Sequence, residues 1–319
     1  MVALPEDLQD AIETALSSCS SNVLKQAREA LSLDYRSEKG SSRGFQTKTE
    51  FLAYLATRMP ATFGACTAVF KAIRRRCPQF TCKSHLDLGA GPGTATWAAL
   101  RVFPELSGLY LVEKEAVPIE VGKLLSATWK TGVWKQASLE SSFDIPSVDM
   151  ATLSYAYGEL SESVRRNVIE RLWMQQIPVV AVVEPGTPKG FERIRTLRAF
   201  VIQKGARILA PCPHECACPM PPSVQCKDWC HFSARIERTR LHRRLKEGSL
   251  GYEDEKYSYV VYAHPVVNME RTPIEGRILY HPIKGSGFVK MSVCERDGVI
   301  RERTMTRSNK AQYRIARDA

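Results

Sequence analysis

The chain has 319 residues, 44% of them hydrophobic, enough to bury a full core and to hold more than one domain. Its net charge of +11 favours a polyanionic partner, and no apolar run approaches the ~18 residues that would read as a membrane span. Residues 1–10 carry Glu6, Asp7 and Asp10 and no basic residue, unlike a secretory signal or an Arg-rich mitochondrial presequence, so a reducing cytoplasm is the expected compartment.

Taken in chain order, residues 5–35 show helical spacing (Leu8, Ile12, Leu16, Val23, Leu24, Ala27, Leu31) with a Ser-rich break at 17–21. A polar linker follows at 36–45, then a helical block at 49–76 interrupted by Pro60. From His85 the pattern changes. Residues 85–88 predict a buried strand, 89–93 a glycine turn and 94–103 a helix; 109–112 is the next strand and 117–128 the next helix. Residues 149–154 predict a strand, 161–173 a helix capped by Ser161, 178–183 an apolar strand and 191–204 a helix. Strands alternating with long helices predict an α/β fold with a parallel, doubly wound sheet. Residues 211–232 hold five prolines and no periodicity, which predicts an ordered loop shaped by something other than backbone ladders. Residues 257–262 read as a strand, and 288–293 with 299–306 as a hairpin around Arg296-Asp297-Gly298.

The turn Asp87-Leu88-Gly89-Ala90-Gly91-Pro92-Gly93-Thr94 sits where a strand gives way to a helix, so its glycines allow a ligand close to the backbone and the helix start offers free N–H groups. A dinucleotide fingerprint would place its third glycine at position 94, which is Thr94. With Asp87 ahead of the turn and Glu113 ending the second strand, placed to accept both ribose hydroxyls, the combination resembles motif I and the acidic loop of the class I methyltransferases, which bind S-adenosylmethionine. The resemblance marks Asp87, Gly89, Ala90, Gly91, Gly93, Thr94, Glu113 and Tyr155 as cofactor contacts; the bland alternative is a tight turn with no ligand. After the fourth strand stands Ser154-Tyr155-Ala156-Tyr157-Gly158-Glu159-Leu160. It is neither the Asn/Asp-Pro-Pro-aromatic tetrad of exocyclic-amine methylases nor a cysteine loop for covalent cytosine chemistry, and it names no catalytic residue.

Five of the ten cysteines (Cys212, Cys216, Cys218, Cys226 and Cys230) fall between 212 and 230. In a reducing compartment such a cluster favours a metal over disulfides. Cys226 and Cys230 fit half of a zinc module, while Cys216 and Cys218 do not fit the other half. Cys212 and Cys218 precede prolines, as cluster-binding cysteines of ferredoxins often do. Cys294, on the C-terminal hairpin, is the remote fourth candidate, with a buried core cysteine as its alternative. His214 and His231 read as hydrogen-bond partners of ligands. No C-x3-C-x2-C run supports radical chemistry. Basic residues concentrate at Arg235, Arg238, Arg240, Arg243, Arg244 and Lys246, and again from Arg296 to the end. The first group, read as one helix, wraps its arginines around the axis and predicts contact with RNA phosphates; the alternative is a solvated helix face.

Tyr54-Leu55-Ala56-Thr57-Arg58-Met59-Pro60-Ala61-Thr62-Phe63, residues 86–93, Gly158-Glu159-Leu160, Val183-Glu184-Pro185-Gly186-Thr187-Pro188-Lys189-Gly190, Cys212-Pro213-His214, Cys218-Pro219 and Trp229-Cys230-His231-Phe232 together resemble the methyltransferase-like family of mitochondrial small ribosomal subunit assembly factors and its bacterial relatives. The resemblance runs from about residue 45 to the C-terminus. It implies a class I methyltransferase fold, S-adenosylmethionine, and a 4Fe-4S cluster (zinc as the alternative) on Cys212, Cys218, Cys230 and Cys294, with Cys216 and Cys226 outside the family pattern. It also implies binding to small-subunit ribosomal RNA during assembly of the small ribosomal subunit; the second reading is an active rRNA methyltransferase with a structural metal cluster. The expected division is a helical segment at 1–80, the cofactor domain at 81–210, the cysteine loop and basic helix at 211–256, and C-terminal strands with a basic tail at 257–319. A monomer away from the ribosome is expected, in the bacterial cytoplasm, or in the mitochondrial matrix for a processed eukaryotic member.

Overall fold

The structure, a computed structural model, describes the chain except residues 18, 37–44, 46, 222–227, 247, 268 and 319, and except the side chains of 31–36 and 318. Four helices come first: α1 (Glu6–Leu16), α2 (Ser21–Arg36), α3 (Lys48–Thr57) and α4 (Met59–Arg76). The break expected at Pro60 falls at Arg58, and the proline takes the first turn of α4, where its missing N–H costs nothing. Then follow β1 (Ser84–Leu88), α5 (Thr94–Val102), β2 (Gly108–Glu113), α6 (Ala116–Leu125), β3 (Val133–Gln136), β4 (Met150–Ser154), α7 (Glu162–Met174), β5 (Val179–Pro185), α8 (Pro188–Gln203) and β6 (Arg207–Ala210). Ser161 caps α7, accepting from Val164 N at 3.4 Å. After the cysteine loop come β7 (Phe232–Glu237), α9 (Arg240–Lys246) and β8 (Tyr252–Ala263).

These strands form one sheet in the order β3-β2-β1-β4-β5-β8-β6, with β7 also paired to β8. The first five neighbours run parallel, whereas β8 is antiparallel to β5, β6 and β7. The sheet is therefore mixed rather than wholly parallel, because β8 enters from a hairpin with β7 instead of from a crossover helix. Period-two alternation feeds two cores: Val179, Ala181 and Val183 of β5 enter one, Val180 and Val182 the other. The first core runs from Leu8 to Met269 and takes in α1, α3, α4 and α5; the second is closed by α7 and α8. The N-terminal helices thus share their core with the sheet.

The expected basic helix is instead two elements. Arg235 lies on β7, facing out, and only residues 240–246 are helical. Phe232-Ser233-Ala234-Arg235-Ile236-Glu237 alternates, with Ala234 and Ile236 buried, and a strand buries that pattern where a helix could not. The strand expected at 257–262 extends to Tyr252–Ala263. A small antiparallel sheet completes the chain: β9 (Gly276–Ile278), β10 (Ile283–Lys284), β11 (Phe288–Glu295) and β12 (Ile300–Thr306), with α10 (Lys310–Asp318) packing Ala316 against Val289 and Met291. The predicted β11–β12 hairpin turns at Gly298, whose φ is +79°.

Candidate functional site: a glycine turn and a thiol cluster

The glycine turn joins β1 to α5, with Gly89, Gly91 and Gly93 at φ +68°, +54° and +83°, a region that L side chains rarely occupy. A Cβ on Gly89 would lie 2.4 Å from the Ala156 methyl, whereas one on Gly91 would meet nothing within 4 Å. The turn is packed below and open at its middle. Gly89 N and Ala90 N donate to Val112 O at 2.9 and 3.0 Å, which ties the turn to the end of β2. Asp87 is wholly buried; its Oδ2 accepts from Thr96 N at 3.1 Å and Thr96 Oγ1 at 3.0 Å, while its Oδ1 has no partner. Burial, outweighing those hydrogen bonds, pushes its carboxyl up to about 7. Thr94 Oγ1, also buried, is unpartnered as well.

Glu113 stands at the end of β2, as expected. Its Oε2 accepts from Gly91 N at 2.8 Å and its Oε1 from Lys114 N and Glu115 N at 2.8 and 3.0 Å. The carboxylate thus spans the gap between the acidic loop and the turn. Glu159, an exposed residue, has its carboxyl pushed up to about 7, first by loss of water around it, against the pull of Lys114 and with Glu113 and Glu115 adding to the rise. A site with this many carboxyl groups suits a cation.

Tyr155 follows β4 with φ +57°, an uncommon conformation for a residue with a side chain. Its N–H donates to Val183 O at 2.8 Å and its hydroxyl to Glu255 Oε1 at 3.0 Å. Arg58 clamps the same carboxylate in a fork, Nη2 to Oε1 at 3.1 Å and Nη1 to Oε2 at 3.3 Å. Beneath the loop, the fully buried Glu184 accepts from Gly158 N and from Arg193 Nη1, both at 3.0 Å. Arg58, Glu184 and Glu255 escaped the sequence reading as site residues. For Glu184 a signal existed, an acid at the end of an otherwise apolar strand; Glu255 lies amid the charged run 253–256 and gave none.

The nine described cysteines are all free thiols; Cys226 lies outside the described residues. Cys212, Cys218, Cys230 and Cys294 come together, each pair close enough for one thiolate to feel the other's charge. Burial first, then this mutual repulsion, pushes Cys230 up to about 12 and Cys294 to about 11, and raises Cys218. Among the described residues no three His, Cys, Asp or Glu side chains converge as the ligands of one ion; a tetrahedral zinc would draw its sulfurs to roughly 3.8 Å from one another, given Zn–S bonds near 2.3 Å.

The loop that carries three of them is pinned to the sheet. Buried Arg198 of α8 donates to His214 O at 2.7 Å and Cys216 O at 2.9 Å, Trp229 Nε1 to Gly186 O at 2.9 Å, and Ser258 Oγ to Cys230 O at 2.9 Å. From the other side, Cys294 of β11 sits 3.3 Å from His214 Nε2. His214 thus contacts one of the four thiols. His231 turns its Nδ1 to Trp229 O at 3.0 Å instead. Cys216 is exposed, and its sulfur lies beside Gly298 of the hairpin turn.

Much of the basic surface is paired internally. Arg235 forks onto Asp254, and Arg238 and Lys246 converge on Glu253; Arg301 and Arg303 share Glu295. Arg240, Arg243 and Arg244 stay exposed along α9. No helix among the described residues is long and apolar enough to cross a membrane.

The chain is similar to known proteins. Human ribosome assembly protein METTL17, mitochondrial, is 27% identical over 286 residues, covering 83% of this chain and 60% of the relative. The Rsm22-cox11 tandem protein 2, mitochondrial, of Schizosaccharomyces pombe is 25% identical over 335 residues, covering 88% of this chain and 43% of the relative. The chain thus spans about half the length of these relatives. Among solved structures, the precorrin-6y C5,15-methyltransferase of Geobacter metallireducens superposes with a TM-score of 0.40 at 12% identity, covering 62% of this chain and 86% of that one. The strand order and the antiparallel β8 are those of the class I methyltransferase fold, and the family model described as mitochondrial small ribosomal subunit Rsm22 matches residues 48–319: the chain belongs to the Rsm22 family.

Proposed function

We propose that this protein binds S-adenosylmethionine at the glycine turn, holds a 4Fe-4S cluster on Cys212, Cys218, Cys230 and Cys294, and binds small-subunit ribosomal RNA during assembly of the small ribosomal subunit. The observation that carries the reading is the gathering of four thiols, distant in sequence, between a pinned loop and the C-terminal hairpin. A cubane attaches each cysteine to a different iron, which suits thiols that are neighbours without closing around one ion. When bound, the cluster supplies a covalent tie between the cysteine loop and the C-terminal hairpin. Three left-handed glycines, an open Gly91, the orphaned Asp87 Oδ1 and Thr94 Oγ1, and Glu113 support the cationic cofactor. Arg240, Arg243 and Arg244 supply exposed cations for RNA phosphates. The names of the relatives support a mitochondrial address and a ribosomal partner; the mitochondrial matrix and a monomer away from the ribosome are part of the same proposal.

A second reading, an active rRNA methyltransferase with a structural metal centre, rests on the intact turn, since the sulfonium is already activated and a site need only align the acceptor. One experiment separates the two in cells. With Gly91→Arg tolerated and Cys230→Ser blocking small-subunit assembly, the binding reading holds; a Gly91→Arg strain that loses methylation of the small-subunit RNA and assembly together supports the enzyme. Both variants assembling normal subunits would refute both.

A further inference from the structure

Arg277 lies on β9, opposite Cys294 of β11, and its side chain reaches back to the cysteine loop. Nη1 donates to Cys230 Sγ at 2.7 Å, Nη2 donates to His231 O at 2.9 Å, and the guanidinium carbon stands 3.7 Å from the centre of the Phe232 ring. Its Nε is buried and has no partner among the described residues. One planar cation is thereby held by three consecutive residues, Cys230 and His231 of the loop and Phe232 at the start of β7, with a ring fixing its plane. Among the described residues, Arg235, Arg301 and Arg303 meet carboxylates, while Arg277 meets a thiol.

We infer that Arg277 is a positioning residue that joins the strand bearing Cys294 to the loop bearing Cys230 and sets the charge balance of the thiolate centre. The inference rests on the iron–sulfur reading above. Four thiolates outweigh the positive charge of the cubane, so the centre is an anion and reduction makes it more negative. A permanent cation in contact with one ligand sulfur stabilises the reduced form more than the oxidised one, and hydrogen bonds to ligand sulfur act in the same direction. Removing the cation should lower the potential. Keeping the charge while losing the fork should leave the potential near its original value but loosen the loop. A residue that merely packs would move neither quantity in this pattern.

The test uses the full chain, purified anaerobically, with Arg277→Gln and Arg277→Lys beside it, reading the reduction potential by redox titration monitored by electron paramagnetic resonance and the rate of iron loss to a chelator. In Arg277→Gln the ratio of reduced to oxidised centre at fixed potential falls about tenfold, equivalent to 59 mV for one electron. In Arg277→Lys the potential returns most of the way, while iron loss stays about threefold faster than in the parent because one ammonium cannot reach both Sγ and the His231 carbonyl. Arg277→Gln that keeps its iron at the parent potential, or Arg277→Lys shifted as far as Arg277→Gln, overturns the inference. Should Arg277→Gln shed its iron before the titration, Arg277→Lys decides alone: near the parent potential it supports the inference, and far below it refutes it. A parent protein that holds no iron fails earlier, and that failure belongs to the cluster reading itself.

Discussion

Asp87 gives the sharpest quantitative consequence of the glycine turn. Its carboxyl is wholly buried, one oxygen has no partner, and its pKa is raised from 3.8 to about 7. In the unfolded chain the group ionises in the ordinary carboxylate range, so between about pH 4 and pH 7 the folded protein keeps a proton that the unfolded chain has released. Stability from this group is therefore present in acid and falls as pH rises through that window. Three pH units at about 1.4 kcal/mol each set the full loss at about 4 kcal/mol. Asp87→Asn removes the titration and substitutes a fixed cost of about 1–3 kcal/mol for the buried amide. Urea unfolding of both proteins at closely spaced pH, with equal slopes, should show the variant less stable near pH 4 and gaining on the parent by about 3–4 kcal/mol toward pH 7.5. A difference that stays constant across that range would refute the raised pKa and the account of the buried carboxyl.

Gly91→Ala meets open space, so only the left-handed backbone is strained; it should cost about 1 kcal/mol in stability yet weaken S-adenosylmethionine binding at least tenfold by calorimetry. Arg198→Ala removes the donors to His214 O and Cys216 O; the domain should lose about 2–4 kcal/mol, and iron release should accelerate with it. Arg243→Ala, on the exposed side of α9, should lower the salt dependence of RNA binding by about 0.7 in the log–log slope for one lost phosphate contact, leaving thermal stability unchanged. An unchanged slope would move the RNA surface elsewhere.

The parts of the fold with a strong apolar signal were legible: β2, β4 and β5 are largely apolar runs because helices cover both their faces. The strands that escaped lie at the margins. β3 is a four-residue edge with Val133 exposed, and β7 alternates, but its outward arginine resembled a helical charge run. The antiparallel sense of β8 was invisible because direction is set by pairing partners far apart in sequence, not by composition. At the candidate site, Asp87, Gly91 and Glu113 stood out because local turn chemistry selects them. Arg58 and Glu255 could not, since their fork joins residues 197 positions apart. The pairing of Arg235 with Asp254 likewise shows why counting cations overstates a nucleic-acid surface: charges along the sequence do not reveal which of them the fold has already matched.

Iron and acid-labile sulfide, measured together with the absorbance of the full chain purified without oxygen, decide whether the four cysteines hold a 4Fe-4S cluster. The expected result is a brown protein with a broad band near the violet edge, about four irons per chain, and loss of both in Cys230→Ser and Cys294→Ser alike. A colourless protein carrying a single zinc, or iron that survives the loss of either cysteine, contradicts it.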